Sequence, residues 1–523
     1  MPYSLYTEEN VKINNLDINY CLSFVDDKDK DEYLENCKKW GCIKDGKIDI
    51  LRYAGEYCYM DCITLKNGYE TFQKLVDEAT GQNINDYLTL ASMADDYLKK
   101  NGCYDGVYQI SGVPRHFIQN CVVGGRCMTS QNKKHKKMNC KISDFDAVSL
   151  YPSAMNRMDG FLKGRPKVIK NFEPEKYDGY FIKIKITKIK KEYNFPCASV
   201  LTDDGIRDFT NDLVGEEVYM DKVGLEDLIN FQGVEYEFIM GYYYDEGRNE
   251  KIKETMRHLF NQRLKFKKEK NPIQMVFKEL MNSSYGKSFM KPIETEKQYI
   301  KKSNWETFLE RNYNNIRTAV ELPNEKMIRV ETIKTIDTHF NNVHIGVEIL
   351  SMSKRIMYEV MTLAEDKKYN MYITDTDSIH IDSDKVELLG NDFKEKYGRT
   401  LIGNDMGQFH TDFELDGAEK EIFAVDSVFL GKKCYCDRLK SQDKEGKDIY
   451  GYHIRMKGVP VDSIIYKANE EFNGDVIKLY NKLYEDPDGL EFDLLCGSRV
   501  RFEFNKDMTI NNKSEFKRRV KFK

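Results

Sequence analysis

The chain has 523 residues, of which 41% are hydrophobic and 32% are charged, and its formal net charge is −5. This composition is typical of a soluble globular protein, and the length predicts two or more domains. No stretch approaches the roughly 18 apolar residues of a membrane-spanning helix, and the amino terminus lacks the basic and apolar segments of a signal peptide.

In chain order, residues 1–100 mix strand-like and helical pieces. Gly124-Gly125-Arg126 predicts a turn, and the lysine-rich run after it predicts an exposed loop. Residues 141–146 predict a strand that ends at a carboxylate, and Pro152 predicts the start of a short helix. Residues 180–245 alternate apolar and polar side chains, which predicts β-structure.

Residues 251–268 have helical periodicity, and Asn271-Pro272 interrupts it. A second helix is predicted from about Gln274 to Ser288, so the two form a helical hairpin. Residues 290–340 are irregular and strand-like, and residues 349–364 predict a buried helix.

A tight β-hairpin is predicted around Asp375-Thr376-Asp377, because short apolar segments lie on both sides of it. Alternate side chains of a strand point the same way, so Asp375 and Asp377 can face one site. The last hundred residues are mixed.

Asp146 and Asp377 each lie beside small hydroxyl residues at the end of a short apolar segment. Two carboxylates about 4 Å apart repel by about 4 kcal/mol at an effective dielectric near 20, so such a pair needs a proton or a cation. Mg²⁺ binds carboxylates, carbonyls and phosphates, and two such ions support nucleotidyl transfer. A turn or a helix cap is the structural alternative for a single aspartate.

Thirteen cysteines are scattered along the chain without a Cys-x-x-Cys pair. The closest pairs are Cys58/Cys62 and Cys434/Cys436, and neither has histidines at the spacing of zinc ligands. The sequence therefore predicts reduced intracellular thiols and argues against a structural zinc site.

Four motifs in a fixed order resemble those of the family B DNA polymerases, and the resemblance extends from about residue 50 to the carboxyl terminus. The motifs are Asp146-x-x-Ser149-Leu150-Tyr151-Pro152-Ser153, Lys278-x-x-x-Asn282-Ser283-x-Tyr285-Gly286, Tyr372-x-x-Asp375-Thr376-Asp377-Ser378 and Lys433-x-Tyr435, with Lys457-Gly458-Val459 beyond them. The spacing leaves room for the two insertions of the protein-primed branch, which is found in phages, linear plasmids and some eukaryotic viruses.

The resemblance implies an α+β fold shaped like a right hand, with palm, fingers and thumb, an antiparallel palm sheet and a partial RNase H-like exonuclease domain at the amino terminus. The implied parts are residues 1–100 for the exonuclease-like domain, 101–157 and 340–425 for the palm, 158–250 and 291–339 for two insertions that resemble terminal-protein regions 1 and 2, 251–290 for the fingers, and 426–523 for the thumb and tail.

The resemblance also implies the site residues. Catalysis and metal binding are expected at Asp146, the backbone of Ala147, Asp375 and Asp377, with Lys278 as a further catalytic residue. Nucleotide binding is expected at Ser149, Leu150, Tyr151, Arg263, Lys267, Lys278, Asn282 and Tyr285. DNA binding is expected at Gly124, Gly125, Arg126, Ser153, Gly286, Thr376, Ser378, Lys433, Tyr435 and Lys457.

Each of the less specific positions has a structural alternative. Arg263 and Lys267, four residues apart on one helix face, are otherwise a solvated face, and Tyr151 is otherwise a core residue. Gly286 is otherwise a helix contact. Local turn hydrogen bonds explain Ser149 and Ser378 equally well, and a plain turn explains Gly124 to Arg126.

Family B enzymes usually carry a 3′–5′ exonuclease before the palm. Tyr57-Cys-Tyr-Met-Asp61 matches its third motif, whereas the first two motifs are absent from this sequence. One carboxylate cannot build a two-metal hydrolytic site. Tyr57 and Asp61 are therefore interpreted as an exonuclease remnant, and no proofreading is expected from this chain alone.

The predicted function is DNA-directed DNA synthesis on a primer, in viral or plasmid replication. Two Mg²⁺ ions are the expected cofactors, with Mn²⁺ as an alternative. Expected partners are template–primer DNA, deoxynucleoside triphosphates, a terminal protein primer and a separate chain that supplies the missing exonuclease half, in an intracellular replication compartment without a membrane partner. The alternatives are a reverse transcriptase or RNA polymerase and an inactive polymerase-like DNA-binding or accessory subunit.

Overall fold

The computed structural model of the chain describes residues 1–202, 205–323, 325–494, 500–504, 510–514 and 517–522. Two compact units are present, one built on Met1–Asp86 and the other on Tyr87–Asp493. The predicted boundary at residue 100 therefore lies inside the second unit.

The first unit is mainly helical and contains a small antiparallel sheet in the order β1-β3-β2. Its core holds Tyr33, Cys37, Ile48 and Tyr53. Its elements are α1 (Glu8–Ile13), β1 (Asn15–Asp17), α2 (Ile18–Leu22), α3 (Lys30–Lys39), β2 (Ile43–Lys44), β3 (Lys47–Asp49) and α4 (Ile50–Thr80). The predicted exonuclease-like character of this unit stays a prediction.

The second unit combines helices with antiparallel sheets, which confirms the predicted α+β class. Its helices are α5 (Leu90–Lys100), α6 (Gly112–Gln119), α7 (Leu150–Arg157), α8 (Lys222–Asp227), α9 (Lys251–Lys268), α10 (Gln274–Ser283), α11 (Trp305–Asn312), α12 (Val343–Asp366), α13 (Ser383–Tyr397), α14 (Val461–Phe472) and α15 (Val476–Glu485).

Its strands are β4 (Cys127–Thr129), β5 (His135–Ala147), β6 (Phe161–Leu162), β7 (Lys167–Val168), β8 (Gly179–Lys188), β9 (Ser199–Leu201), β10 (Arg207–Phe209), β11 (Glu217–Asp221), β12 (Glu235–Tyr244), β13 (Arg248–Asn249), β14 (Thr295–Lys301), β15 (Ile316–Glu321), β16 (Met327–Ile333), β17 (Met371–Asp375), β18 (Ser378–Asp382), β19 (Phe409–Thr411), β20 (Phe423–Gly431), β21 (Cys434–Gln442), β22 (Asp448–Met456), β23 (Leu490–Asp493), β24 (Val500–Phe504), β25 (Ile510–Ser514) and β26 (Lys517–Val520).

The sheet that carries the acidic motifs has the order β22-β21-β20-β5-β18-β17-β4, and β19 pairs with β5 outside this path. It continues to Met456, so the predicted boundary between palm and thumb at residue 425 falls within the sheet. The hairpin β17–β18 lies where it was predicted. Its register places Ser378 opposite Asp146, which brings the two acidic motifs to one edge of neighbouring strands.

Behind this sheet region, α12 is buried along almost its whole length, including the predicted residues 349–364. A helix that is apolar around most of its circumference needs contacts on every side. Packing against α6, α7, α8 and α13 supplies them. The buried helix that the sequence predicted over residues 349–364 is therefore part of the core of the second unit.

The predicted helical hairpin is present as α9–α10, although the second helix ends at Ser283 instead of Ser288. Its assignment to the fingers stays a prediction. Ser284 Oγ donates to the Met281 carbonyl at 3.0 Å, and Ser288 Oγ donates to the Tyr285 carbonyl at 2.6 Å. Such side-chain bonds to the backbone compete with the helical pattern. A short 3₁₀ turn over Gly286–Phe289 follows.

The two predicted insertions each contain a separate antiparallel sheet. The first has the strand order β11-β8-β12-β7 and buries Ile182, Ile184 and Leu228 against α8, a helix that the sequence pattern did not predict. The second has the order β14-β16-β15, joined by α11. Both are β-rich, as the sequence predicted.

Candidate active site

Asp146 and Asp377 line the same cleft, which has a volume of about 870 Å³. Asp146 is the last residue but one of β5, and Asp377 lies in the turn between β17 and β18. The Ala147 amide donates to the Asp377 carbonyl at 2.9 Å, which joins the two segments. The geometry therefore brings together the two acids that the sequence predicted as metal ligands.

The electrostatics of these acids differ from those of ordinary surface carboxylates. Burial and the charge of Asp377 raise the pKa of Asp146 to about 8. Burial, together with the charges of Asp375 and Asp144, raises the pKa of Asp377 to about 6. Among the described residues, neither acid forms an ion pair with a cationic side chain. A hard divalent cation fits this oxygen-rich, negatively charged position.

Asp375 is held outside this cleft. It accepts hydrogen bonds from Lys433 Nζ at 2.8 Å, from the Cys127 thiol at 3.0 Å and from the Tyr435 hydroxyl at 3.3 Å. Burial acts to raise the pKa of Asp375, but the bonds from Lys433 and Cys127 lower it below its usual value. Asp375 is thus an anchor for Lys433 and Tyr435 in this conformation, and its predicted role as a third metal ligand stays a prediction.

The cleft is also lined by the predicted cations of α9 and α10. Arg263, Lys267 and Lys278 all line it, together with Asn282 and Tyr285. The periodicity of α9 places Arg263 and Lys267 on one face, one turn apart. The cleft is therefore lined by both acids and cations, as phosphate groups bridged by metal ions require.

The motif after Asp146 forms the floor of the cleft. Ser149 has a left-handed backbone (φ 49°) immediately before α7, and its hydroxyl accepts a bond from Arg263 Nη1 at 3.0 Å. This bond joins the floor to α9. The predicted start of α7 at Pro152 is two residues late, because Leu150 and Tyr151 already belong to its first turn.

Tyr151 and Tyr285 stack with ring centroids 4.1 Å apart and an interplanar angle of 19°. Burial raises the pKa of Tyr151 to a value above its usual range, so the phenol stays neutral at physiological pH. Both rings line the cleft beside Leu150. An aromatic pair of this kind forms a flat wall for a sugar or a base.

Four residues predicted to bind DNA are buried within the protein and hydrogen-bonded to it. Arg126 is only 3% exposed, and its guanidinium donates to the carbonyls of Phe195 and Pro196 and lies over aromatic rings. Ser153 Oγ donates to the Val148 and Ser149 carbonyls, and Ser378 is buried within β18. Tyr435 is 2% exposed, and its hydroxyl donates to Asp375. The predicted contacts of these four side chains with DNA stay predictions.

The remaining predicted DNA-binding residues surround the hairpin turn or lie near it. A Cβ atom on Gly125 would lie 2.7 Å from the Thr376 methyl, whereas Gly124 and Gly286 face open space. The Thr376 amide donates to the Arg126 carbonyl, and the Lys457 amide donates to the Lys433 carbonyl. Their predicted contacts with DNA stay predictions.

Four polar residues that line the cleft were not predicted from the sequence. They are Asn404, His410, Asp412 and Glu414. His410 lies opposite Asp146 in the β19–β5 register, and the Asp412 carboxylate contributes to the raised pKa of Asp146. The available signal was the two-residue spacing of His410, Asp412 and Glu414, which is typical of one strand face.

Tyr57 and Asp61, the predicted exonuclease remnant, lie on α4 in the first unit. They line an open pocket of about 620 Å³ together with Asp26, Asp29 and Glu32. Burial raises the pKa of Tyr57. Their assignment as a remnant stays a prediction.

None of the helices within the described residues is long and apolar enough to cross a membrane.

Residues 1–379 match the family described as DNA polymerase type B, organellar and viral. A probable DNA polymerase of Ascobolus immersus is 26% identical over 363 residues, which cover 68% of this chain and 28% of that protein. A probable DNA polymerase of Neurospora intermedia is 25% identical over 414 residues, covering 73% of this chain and 39% of that protein. The chain thus spans well under half the length of these relatives.

The fold is similar to solved structures of Phi29 DNA polymerase. The ternary complex with primer–template DNA and incoming nucleotides superposes with a TM-score of 0.56 at 15% identity, covering 86% of this chain and 70% of that chain. An orthorhombic crystal form gives a TM-score of 0.54 at 17% identity, with 74% and 63% coverage. At these identities the similarity concerns the fold.

Proposed function

Because the chain belongs to the type B DNA polymerases of organelles and viruses, we propose that it is a DNA-directed DNA polymerase that extends a primer 3′-hydroxyl with deoxynucleoside triphosphates. The observation that carries the proposal is the cleft that Asp146 and Asp377 line together with Arg263, Lys267 and Lys278. Carboxylates for metal ions and cations for phosphates are the two requirements of nucleotidyl transfer.

Asp146, Asp377 and the carbonyl oxygen of Ala147 would hold two Mg²⁺ ions, with Mn²⁺ as an alternative, because all three groups are hard oxygen donors beside the cleft. When bound, the ions would activate the primer oxygen and stabilise the leaving pyrophosphate. Asp375 stays a candidate third ligand, and its release would require the bond to Lys433 to break.

The cations that line the cleft would bind the triphosphate. Lys278, Arg263 and Lys267 can each contact a phosphate oxygen, and this contact would replace the bond from Arg263 to Ser149. Tyr151 would lie under the sugar and exclude a 2′-hydroxyl, with Tyr285 stacked against it. Asn282 and Leu150 complete the nucleotide pocket.

Template and primer would contact the surface around the hairpin turn. Lys433 and Tyr435 would hold the primer strand, and Lys457 adds positive charge next to them. Gly124, Gly125, Gly286 and Thr376 would allow close approach of the DNA backbone. Phi29 DNA polymerase, which shares the fold, has been solved with primer–template DNA and incoming nucleotides.

Protein priming is the finer part of the proposal. The insertions at residues 158–250 and 291–339 each form a sheet of their own, which gives two surfaces for a terminal protein. The replication would be that of a viral or plasmid DNA inside a host cell. A separate chain that supplies an exonuclease half stays part of the proposal.

Primer extension with Mg²⁺ and the four deoxynucleotides tests the proposal. We expect extension by the wild-type chain, loss of at least about 10³-fold in D377N, and a higher KM for nucleotides in K278A. K268A is the matched control, since Lys268 is exposed on the same hairpin. Absence of extension by the folded wild-type chain would support the inactive accessory subunit. Extension that survives in D377N would contradict the catalytic role of Asp377.

Two parallel reactions separate the finer alternatives. Ribonucleotides replace deoxynucleotides in one, where efficient incorporation would contradict the role of Tyr151 and favour an RNA polymerase. In the other, transfer of a labelled deoxynucleotide to a protein hydroxyl is measured without a DNA primer. Labelling of protein supports protein priming, and extension of DNA alone contradicts it.

A further inference from the structure

A second group of metal-ligating side chains lies inside the sheet, apart from the cleft. Asp144, His380 and His453 each offer a ligand atom, and these atoms lie within 4.8 Å of one another. Among the described residues, no other three His, Cys, Asp or Glu side chains bring their ligand atoms this close together. Asp144 and His380 are opposite each other in the β5–β18 register, and His453 lies on β22.

Two buried atoms in this group have no hydrogen-bond partner. Asp144 Oδ1 and His380 Nδ1 lie 3.5 Å apart, and neither makes a hydrogen bond. His380 is 1% exposed and Asp144 is 9% exposed, so bulk water does not supply the hydrogen bonds that these two atoms lack. Unsatisfied buried polar atoms are costly, which indicates that an occupant belongs between them.

The other nitrogen of His380 has the partner that a metal-bound imidazole usually has. His380 Nε2 is 3.0 Å from Asp437 Oδ2, and Ser427 Oγ donates to Asp437 Oδ1 at 2.6 Å. Burial acts to lower the pKa of His380, but Asp437 and Asp144 raise it to about 9, so a metal ion would have to displace the proton on Nδ1. In the metal-bound state, a carboxylate that accepts the Nε2 proton would fix the tautomer and leave the lone pair of Nδ1 for the ion. The Asp437 carboxylate is also 3.3 Å from His453 Nδ1.

The surroundings favour a borderline transition-metal ion over Mg²⁺. Two imidazoles and one carboxylate are a ligand set typical of Zn²⁺. Phe413, Phe429 and Tyr435 pack their rings edge-on against His380. The side chain of His453 is 17% exposed, which provides a route for entry.

We propose that Asp144, His380 and His453 form a binding site for one Zn²⁺-class ion, with Asp437 as its outer hydrogen-bond acceptor. The ion would tie β5 and β18, which carry the cleft acids, to β22. It is distinct from the Mg²⁺ ions of the proposed polymerase reaction, and its presence does not depend on that reaction.

The proposal is tested by zinc content and by titration of the metal-free full chain with Co²⁺, whose visible absorption reports tetrahedral nitrogen and oxygen ligands. We expect one ion per chain. H453A should lose at least about tenfold in affinity, and D437N about 10–100-fold. H258A, at an exposed histidine, and D146N, at the cleft, should bind as the wild type does.

Three results would overturn the site. These are no stoichiometric Zn²⁺ or Co²⁺ in the wild type, equal binding by H453A and H258A, or loss of binding in D146N. If no metal ion binds, a proton on His380 would fill the gap between His380 Nδ1 and Asp144 Oδ1 instead. H453C supplies an alternative zinc ligand, so it should restore binding if H453A fails through misfolding, and equal failure of a folded H453C would also count against the site.

Discussion

At the scale of single residues, the raised pKa values of Asp146 and Asp377 make stability depend on pH. The folded chain holds protons on these carboxyls more tightly than the unfolded chain, so their contribution to stability is complete below about pH 3.9. It is lost as pH rises through about 6 for Asp377 and about 8 for Asp146. The free-energy cost of keeping both carboxylates ionised in the folded chain is largest at alkaline pH without divalent cations.

D377N should therefore unfold at a higher temperature than the wild type near pH 8, in the absence of divalent cations. The reason is that the Asp377 charge, which opposes ionisation of Asp146, is removed. The difference should shrink toward pH 4, where both carboxyls are protonated in the folded chain. Melting temperatures between pH 4 and 9 measure it, with D212N as an exposed control. Parallel profiles for D377N and the wild type would contradict the coupling.

Adding Mg²⁺ at pH 8 should raise the melting temperature of the wild type, because the ion binds the folded state and not the unfolded chain. At 100 times the dissociation constant, the expected stabilisation is about 2.7 kcal/mol. D377N should gain much less, since one of the two cleft carboxylates is missing. A shift of equal size in both proteins would place the Mg²⁺ ion elsewhere.

Lys433 connects Asp375 to the surface on which the primer is proposed to lie. K433A removes the main bond that lowers the pKa of Asp375, so that pKa should rise. We expect weaker primer binding and slower extension, by about tenfold or more, with a smaller salt dependence of DNA affinity. K432A is the neighbouring control, because Lys432 donates to the Arg207 carbonyl instead. Equal effects of the two variants on binding and on its salt slope would refute this role.

At the scale of elements, the segment before β4 is fitted against the turn of the acidic hairpin. G125A would place a Cβ atom 2.7 Å from the Thr376 methyl and 3.5 Å from its Cα, whereas G124A meets nothing within 4 Å. We expect G125A to lose about 1–3 kcal/mol of stability through overpacking and to slow extension. G124A should stay close to the wild type, and urea unfolding with primer extension measures both.

Elements with strong local patterns were predictable from the sequence. The helix over 251–268 and the hairpin around Asp375 were found where apolar periodicity placed them. The end of α10 was not, because hydrogen bonds from Ser284 and Ser288 decide it. The two-residue spacing of His410, Asp412 and Glu414 was overlooked, because β19 has only three residues and ends at Thr411.

At the scale of the whole molecule, long-range packing sets the boundaries that local patterns cannot give. α5 was assigned to the amino-terminal domain, yet it packs against α10 of the second unit. Lys287 Nζ lies 3.8 Å from Asp95 Oδ2 on this helix. The burial of Arg126 likewise depends on Phe195, Pro196 and Tyr358, which are distant in sequence. The motif residues were predictable, and their surroundings were not.

Proofreading is a property of the whole molecule, because it needs an exonuclease site with paired metal ions in addition to the polymerase site. In the first unit, Asp61 shares its pocket with Asp26, Asp29 and Glu32. Among the described residues there, no three His, Cys, Asp or Glu ligand atoms converge within 4.8 Å. We therefore expect the purified chain to leave a 3′-mismatched primer intact with Mg²⁺ present, and D61A to extend matched primers at the wild-type rate. Shortening of the mismatched primer that disappears in D61A would show that these carboxylates rearrange around metal ions and that the remnant is a working nuclease.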